Sequence, residues 1–250
     1  PPLIATIALS AAVVAAPAAA ADAPAALKIS ELVVTPTEGE FVEIVNTGDT
    51  TLDLSDVYLT DATFAPNGQF YYNIVLGELS LAGGGGFSDW HARFPSGATI
   101  APGEYQTVAL AGTADFFATY GVIPTYEICP DDAAVPDMRE ALAGSLNCGA
   151  NAPGLTNSGE FTVLYTWDGV SDLVADLDYV VWGDKDEAVD KSGVSIDGPD
   201  GDSTPGTYAP DTAIAAQAVI APGAHDFGNS FSRADLLEGT QAQTGGNGID

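Results

Sequence analysis

The residues most able to do chemistry are acidic. Asp197-Gly198-Pro199-Asp200-Gly201-Asp202-Ser203 sets three carboxylates two to three residues apart among glycines. Calcium takes roughly six to eight oxygens, several of them from carboxylates, so Asp197, Asp200 and Asp202 are the candidate calcium ligands. The other reading is a solvated Asp-Gly turn series, which the same residue types form without an ion. Neither this run nor residues 184–191 is an EF-hand. Counted from Asp184, positions 5 and 6 are Ala188 and Val189; counted from Asp200, they are Thr204 and Pro205. An EF-hand needs an acidic or Asn side chain and then a glycine there.

Other reactive groups are scarce. The two histidines, His91 and His225, are far apart and read as surface or turn residues. No G-x-S-x-G elbow and no HExxH pair is present. The glycine run at 83–86 lacks the Lys-Ser/Thr that completes a phosphate loop. Carboxylate pairs for glycoside hydrolysis depend on spatial separation, and among 35 Asp and Glu chance pairs are expected. Phe70, Tyr71, Tyr72 and Trp90 could face a carbohydrate, although aromatics on strands more often fill a core. The composition therefore points away from an enzyme.

Cys129 and Cys148 are the whole cysteine content. In an exported chain such a pair reads as a disulfide. Closing a loop of this size contributes roughly 3 kcal/mol in the chain-entropy account. Export is itself expected. Leu3 to Ala16 is an apolar run, and Ala19-Ala20-Ala21 supplies small residues ahead of Asp22, so residues 1–21 read as a signal peptide or hydrophobic segment. That run is too short to span a bilayer comfortably, and no other stretch approaches a transmembrane helix.

Six Lys and Arg face 35 Asp and Glu, a formal net charge of -29. That excludes a basic footprint for nucleic acid and opposes anionic membrane surfaces. It favours solubility and leaves room for divalent cations.

The elements that must carry these residues are short strands. Glu40-Phe41-Val42-Glu43-Ile44-Val45-Asn46 is a strand closed by a Thr-Gly-Asp turn, and strands at 51–54 and 57–60 follow. Residues 27–34 form the first strand, with a change of phase near Glu31 that predicts a bulge. Residues 70–76 are strand-like, Pro102-Gly103 turns into a strand ending at Leu110, and residues 114–120 make a helical turn. A helical segment is expected around Met138 to Leu142; the sandwich resumes at Leu155 with a strand to about Thr166, and after the Asp168-Gly169 turn the next strand covers 177–182.

Four of these pieces, at 27–61, 99–120, 155–182 and 228–235, resemble in order the lamin-tail domain family, of the bacterial secreted or surface type. The resemblance implies an all-β, immunoglobulin-like β-sandwich without the lamin rod, since no heptad repeat is present. One domain over 22–250 is expected, with insertions at about 62–98, 125–157 and 183–227. It further implies a non-catalytic extracellular or cell-surface module that contacts a protein partner or its own copies. One alternative is a filament subunit that assembles through its N-terminal apolar segment or its sheet edges. Another is the accessory domain of a larger secreted metal-dependent hydrolase.

Overall fold

The computed structural model describes residues 26–149, 152–221 and 227–236. The export segment and His225 lie outside them. In chain order the main strands are β1 (Leu27–Val33), β2 (Phe41–Asn46), β3 (Val57–Thr60), β4 (His91–Arg93) and β5 (Tyr105–Ala109). They continue with β6 (Tyr126–Glu127), β7 (Arg139–Glu140), β8 (Glu160–Thr166), β9 (Ala175–Trp182) and β10 (Phe231–Ser232). One sheet has the order β6-β5-β2-β1-β10, the other β7-β4-β3-β8-β9. All neighbours are antiparallel except β6, which runs parallel to β5. The architecture is an immunoglobulin-like β-sandwich.

Side-chain alternation explains the layers. On β2, Val42 and Ile44 point between the sheets, while Phe41 turns outward to Phe116 of helix α1 (Thr113–Tyr120). The β1–β2 register shifts between Ile29 and Glu31, as the change of phase predicts. That bulge lets Leu27, Ile29 and Leu32, spaced two and then three apart, enter the same core.

The second sheet is buried on both faces. Leu59, Ala92, Leu164 and Leu177 face the first sheet. Tyr58, Phe161, Val163, Tyr165, Tyr179 and Val181 face away from it and are covered by a third layer. That layer comes from the 62–98 and 183–227 segments: Tyr71, Tyr72, Ile74 and Val75 from one, Val189, Ile196 and Tyr208 from the other.

Two expectations are corrected. Residues Tyr71–Leu76 form a 3-10 helix, not a strand; a continuous apolar run does not distinguish the two by periodicity. The 62–98 segment contains β4, which pairs with β3. The helix expected near Met138 is absent: Arg139–Glu140 is β7, held to β4 in an antiparallel pair. The 125–157 segment thus lends an edge strand to each sheet.

The glycine run has a packing role. Gly85, with φ of 74°, lies so close to the 144–145 segment that a Cβ would sit 2.0 Å from the Gly144 carbonyl oxygen. A side chain there would collide with backbone as well as strain its own.

Candidate functional site

The acidic run divides. Asp197 and Asp200 meet Asp172, which precedes β9, with one carboxylate oxygen from each lying within 4.8 Å of the others. Asp172 Oδ1 also accepts the Gly198 N–H at 2.7 Å. Asp202 is not in this group. Its Oδ1 accepts the Thr204 N–H at 2.6 Å, and its own N–H donates to Asp200 Oδ1 at 3.0 Å, which are the bonds of an Asx-turn series. Asp197 and Asp200 are exposed. Proximity of exposed carboxylates in a chain this acidic does not by itself mark an ion site.

His91 is the clearest departure from expectation. It is fully buried at the start of β4, not on the surface. Its Nε2 makes a short hydrogen bond with the Tyr165 hydroxyl. Burial pushes the ring down to about 3, so it is neutral across the physiological range. Tyr165 in turn stacks on Tyr58 at 4.9 Å. A histidine enclosed in this way has no path to a substrate proton, and its work is packing.

The aromatics considered for carbohydrate binding are also occupied. Tyr71 and Trp90 are fully buried and Tyr72 nearly so, while Phe70 stacks on Tyr72 at 5.1 Å. No open ring face is left among Tyr71, Tyr72 and Trp90 for a sugar to cover.

Beneath the third layer lies a charged group with no sequence motif. Lys191 is fully buried and pairs with Asp176, and its ammonium also lies 3.7 Å from Asp211. The Tyr71 hydroxyl donates to Asp176 Oδ2 at 2.7 Å and accepts from Lys191 Nζ at 3.0 Å. The ammonium stands 5.6 Å from the ring centres of both Tyr71 and Tyr208. Burial raises the Asp176 carboxyl against the opposing pull of Lys191. This network ties the third layer to the sheet and has no opening to solvent. Its one sequence signal is that Lys191 is among only six Lys and Arg in the chain.

Cys129 and Cys148 form the expected disulfide, with Cα atoms 5.4 Å apart. It braces the segment that supplies β6 and β7.

The outer face of the first sheet offers a surface of another kind. Phe117 and Tyr120 of α1, then Val122 and Ile123, are exposed by 51%, 38%, 57% and 55%. Beside them a groove of about 880 Å³ is lined by Phe41, Phe116, Tyr120, Val122 and Phe227, with Glu31, Glu38 and Asp115 at its margin. The sheet edges are less inviting. β6, β7 and β10 have two residues each, too short to template a partner strand. The eight-residue β9 is longer, but Ile220 bonds across its end at Val181 and Gly183. Among the described residues no helix is long and apolar enough to cross a membrane.

A crystal structure of a DUF4876 family protein from Bacteroides thetaiotaomicron VPI-5482 is similar over 63% of this chain, at 16% identity and a TM-score of 0.39. The match spans 54% of that protein, about half its length. No curated protein matches the sequence. Residues 20–184, well over half of the chain, match the Lamin Tail Domain family, and the chain belongs to that family.

Proposed function

We propose that this is a non-catalytic, exported binding module that contacts a protein partner through the apolar surface beside α1. The observation that carries this reading is the contiguous set Phe117, Tyr120, Val122 and Ile123, exposed next to a groove. Exposed apolar patches of this kind favour interaction. Glu31, Glu38 and Asp115 at the margin select the partner's chemistry: aromatic or aliphatic side chains ringed by Lys or Arg. A second copy of this chain is disfavoured, because each carries a formal charge of -29. The disulfide supports an oxidising, extracellular or cell-surface location. Enclosure of His91 and Lys191 supports a role without turnover.

Selection of a random peptide library against the full chain tests this. The expected peptides combine apolar anchors with basic residues and lose at least tenfold in affinity against Phe117→Asp and Ile123→Asp, with the circular dichroism spectrum unchanged. Selection of no such peptide, or of peptides indifferent to both changes, overturns the reading.

A further inference from the structure

The contact between Lys191 and Asp176 places a nucleophile against a carbon it can attack. The Lys191 ammonium touches Asp176 Oδ2, an oxygen bonded directly to the carboxyl carbon Cγ, and both side chains are completely enclosed. Asp176 lies on β9, and Lys191 lies 15 positions later in the segment that covers it. The pairs of Arg93 and Arg233 offer no such chemistry, because a guanidinium keeps its charge and does not attack a carbonyl. A lysine amine does, and desolvation in an apolar pocket is one way it is activated.

Three further features complete the arrangement. The Tyr71 hydroxyl donates to Asp176 Oδ2 at 2.7 Å, the oxygen on which negative charge collects when Cγ becomes tetrahedral. Asp211 Oδ2 lies 3.7 Å from Lys191 Nζ on a side chain only 1% exposed, and it accepts the Lys191 backbone N–H at 3.1 Å. Asp176 Oδ1 is enclosed and has no hydrogen-bond partner. A buried carboxylate kept for an ion pair alone ordinarily has its remaining lone pairs satisfied. An oxygen that departs as water needs no such partner.

Aromatic and aliphatic side chains wall the pair off. The rings of Tyr71 and Tyr208 are centred 5.6 Å from the ammonium, and Val174, Tyr179 and Val189 are buried in the same cluster. The buried Gln217 donates to the Val189 and Thr212 carbonyls and closes the covering segment. Exclusion of water protects an amide, once formed, from hydrolysis. Burial also raises the Asp176 carboxyl toward its neutral form, the form that an amine attacks.

We propose that Lys191 and Asp176 condense into an intramolecular amide that joins β9 covalently to the third layer, with Asp211 as proton relay and Tyr71 as oxyanion donor. The ammonium passes one proton to the Asp176 carboxylate, which leaves an amine and a neutral carboxyl. Nζ attacks Cγ. The C–N bond forms as the double bond to Oδ2 opens, and Asp211 takes a second proton from Nζ. Asp211 returns that proton to the Oδ1 hydroxyl, the bond from Cγ to Oδ1 breaks, and Oδ1 leaves as water while the double bond to Oδ2 closes. The products are one amide and one water; no oxidant or cofactor is consumed, and Asp211 ends as it began. The ion pair described above is the arrangement that precedes this bond. The reaction runs once per chain on its own side chains, so it is independent of partner binding beside α1.

Mass spectrometry of the full chain, purified and with its disulfide reduced, tests this. Trypsin cuts after Lys185 and Lys191, and so separates the fragment 140–185, which holds Asp176, from 186–191. The expected whole-chain mass is one water below that of the sequence. The digest should contain a branched fragment in which 140–185 is joined through Lys191, where trypsin no longer cuts. Lys191→Arg keeps the charge and should give the full mass and separate fragments. Asp211→Asn, with native circular dichroism, should carry the branch in an at least tenfold smaller fraction of molecules. A wild-type chain at full mass with separate fragments overturns the proposal without recourse to any variant. So does a water lost within one linear fragment, the mark of a cyclic imide at Asp168-Gly169 or Asp197-Gly198, with no branch present. Undiminished branching in Asp211→Asn overturns the relay.

Discussion

Lys191 and Asp176 form an ion pair in which neither side chain touches solvent. The pair joins the 183–227 segment to β9, and the Tyr71 hydroxyl bonds to both partners. Removing one member strands the other. Lys191→Met should therefore cost about 3–5 kcal/mol in urea unfolding. Lys191→Met with Asp176→Leu should recover at least half of that loss, because the orphaned carboxylate is gone.

The pair Arg233 and Asp178 fastens the closing strand. Arg233 donates to both Asp178 oxygens at 2.7 Å, and Asp178 Oδ2 accepts the Ile29 N–H at 2.6 Å. Arg233→Met should cost about 2 kcal/mol, the value of a charged hydrogen bond lost beside a buried carboxylate. Amide exchange should accelerate first at Leu32, whose strand loses its β10 neighbour.

Cys129→Ala with Cys148→Ala should lower stability by roughly 3 kcal/mol in the chain-entropy account. The loss should appear equally in Tm measured with and without reductant on the wild-type chain. Near-ultraviolet dichroism should stay native at low temperature, since both sheets retain their central strands.

His91 sets a pH dependence of known sign. Its ring is held at about 3 in the folded chain and titrates near 6.5 when exposed. Below that higher value the unfolded chain takes up a proton that the folded chain refuses, so stability falls as pH falls. Between pH 7 and 4.5 the contribution lost is about 2–3 kcal/mol. Unfolding curves of wild type and His91→Gln should converge by that amount over this window. Parallel curves would show that the ring is already charged in the fold.

Local pattern made much of the sandwich legible. The alternation in β2, the bulge near Glu31, the Pro102-Gly103 turn into β5 and the Phe231–Ser232 closing strand all rest on residues within a few positions of each other. What was hidden depends on distant partners. Tyr165, 74 positions away, is what turns His91 into a core residue. Lys191 becomes buried because Tyr71, 120 positions earlier, lies against the same sheet face. The acidic run misled in part because Asp172, outside it, joins Asp197 and Asp200 while Asp202 folds back on its own turn.

The third layer has a bearing on where the folding unit ends. The family match stops at residue 184, yet Val189, Ile196 and Tyr208 shield the outward face of the second sheet, and Lys191 neutralises Asp176 beneath them. A fragment cut at the family boundary would bare Tyr165, Tyr179 and Val181 to water and leave a naked anion among them. The polypeptide that seals the outward face of the second sheet thus runs past the family match, to at least Tyr208.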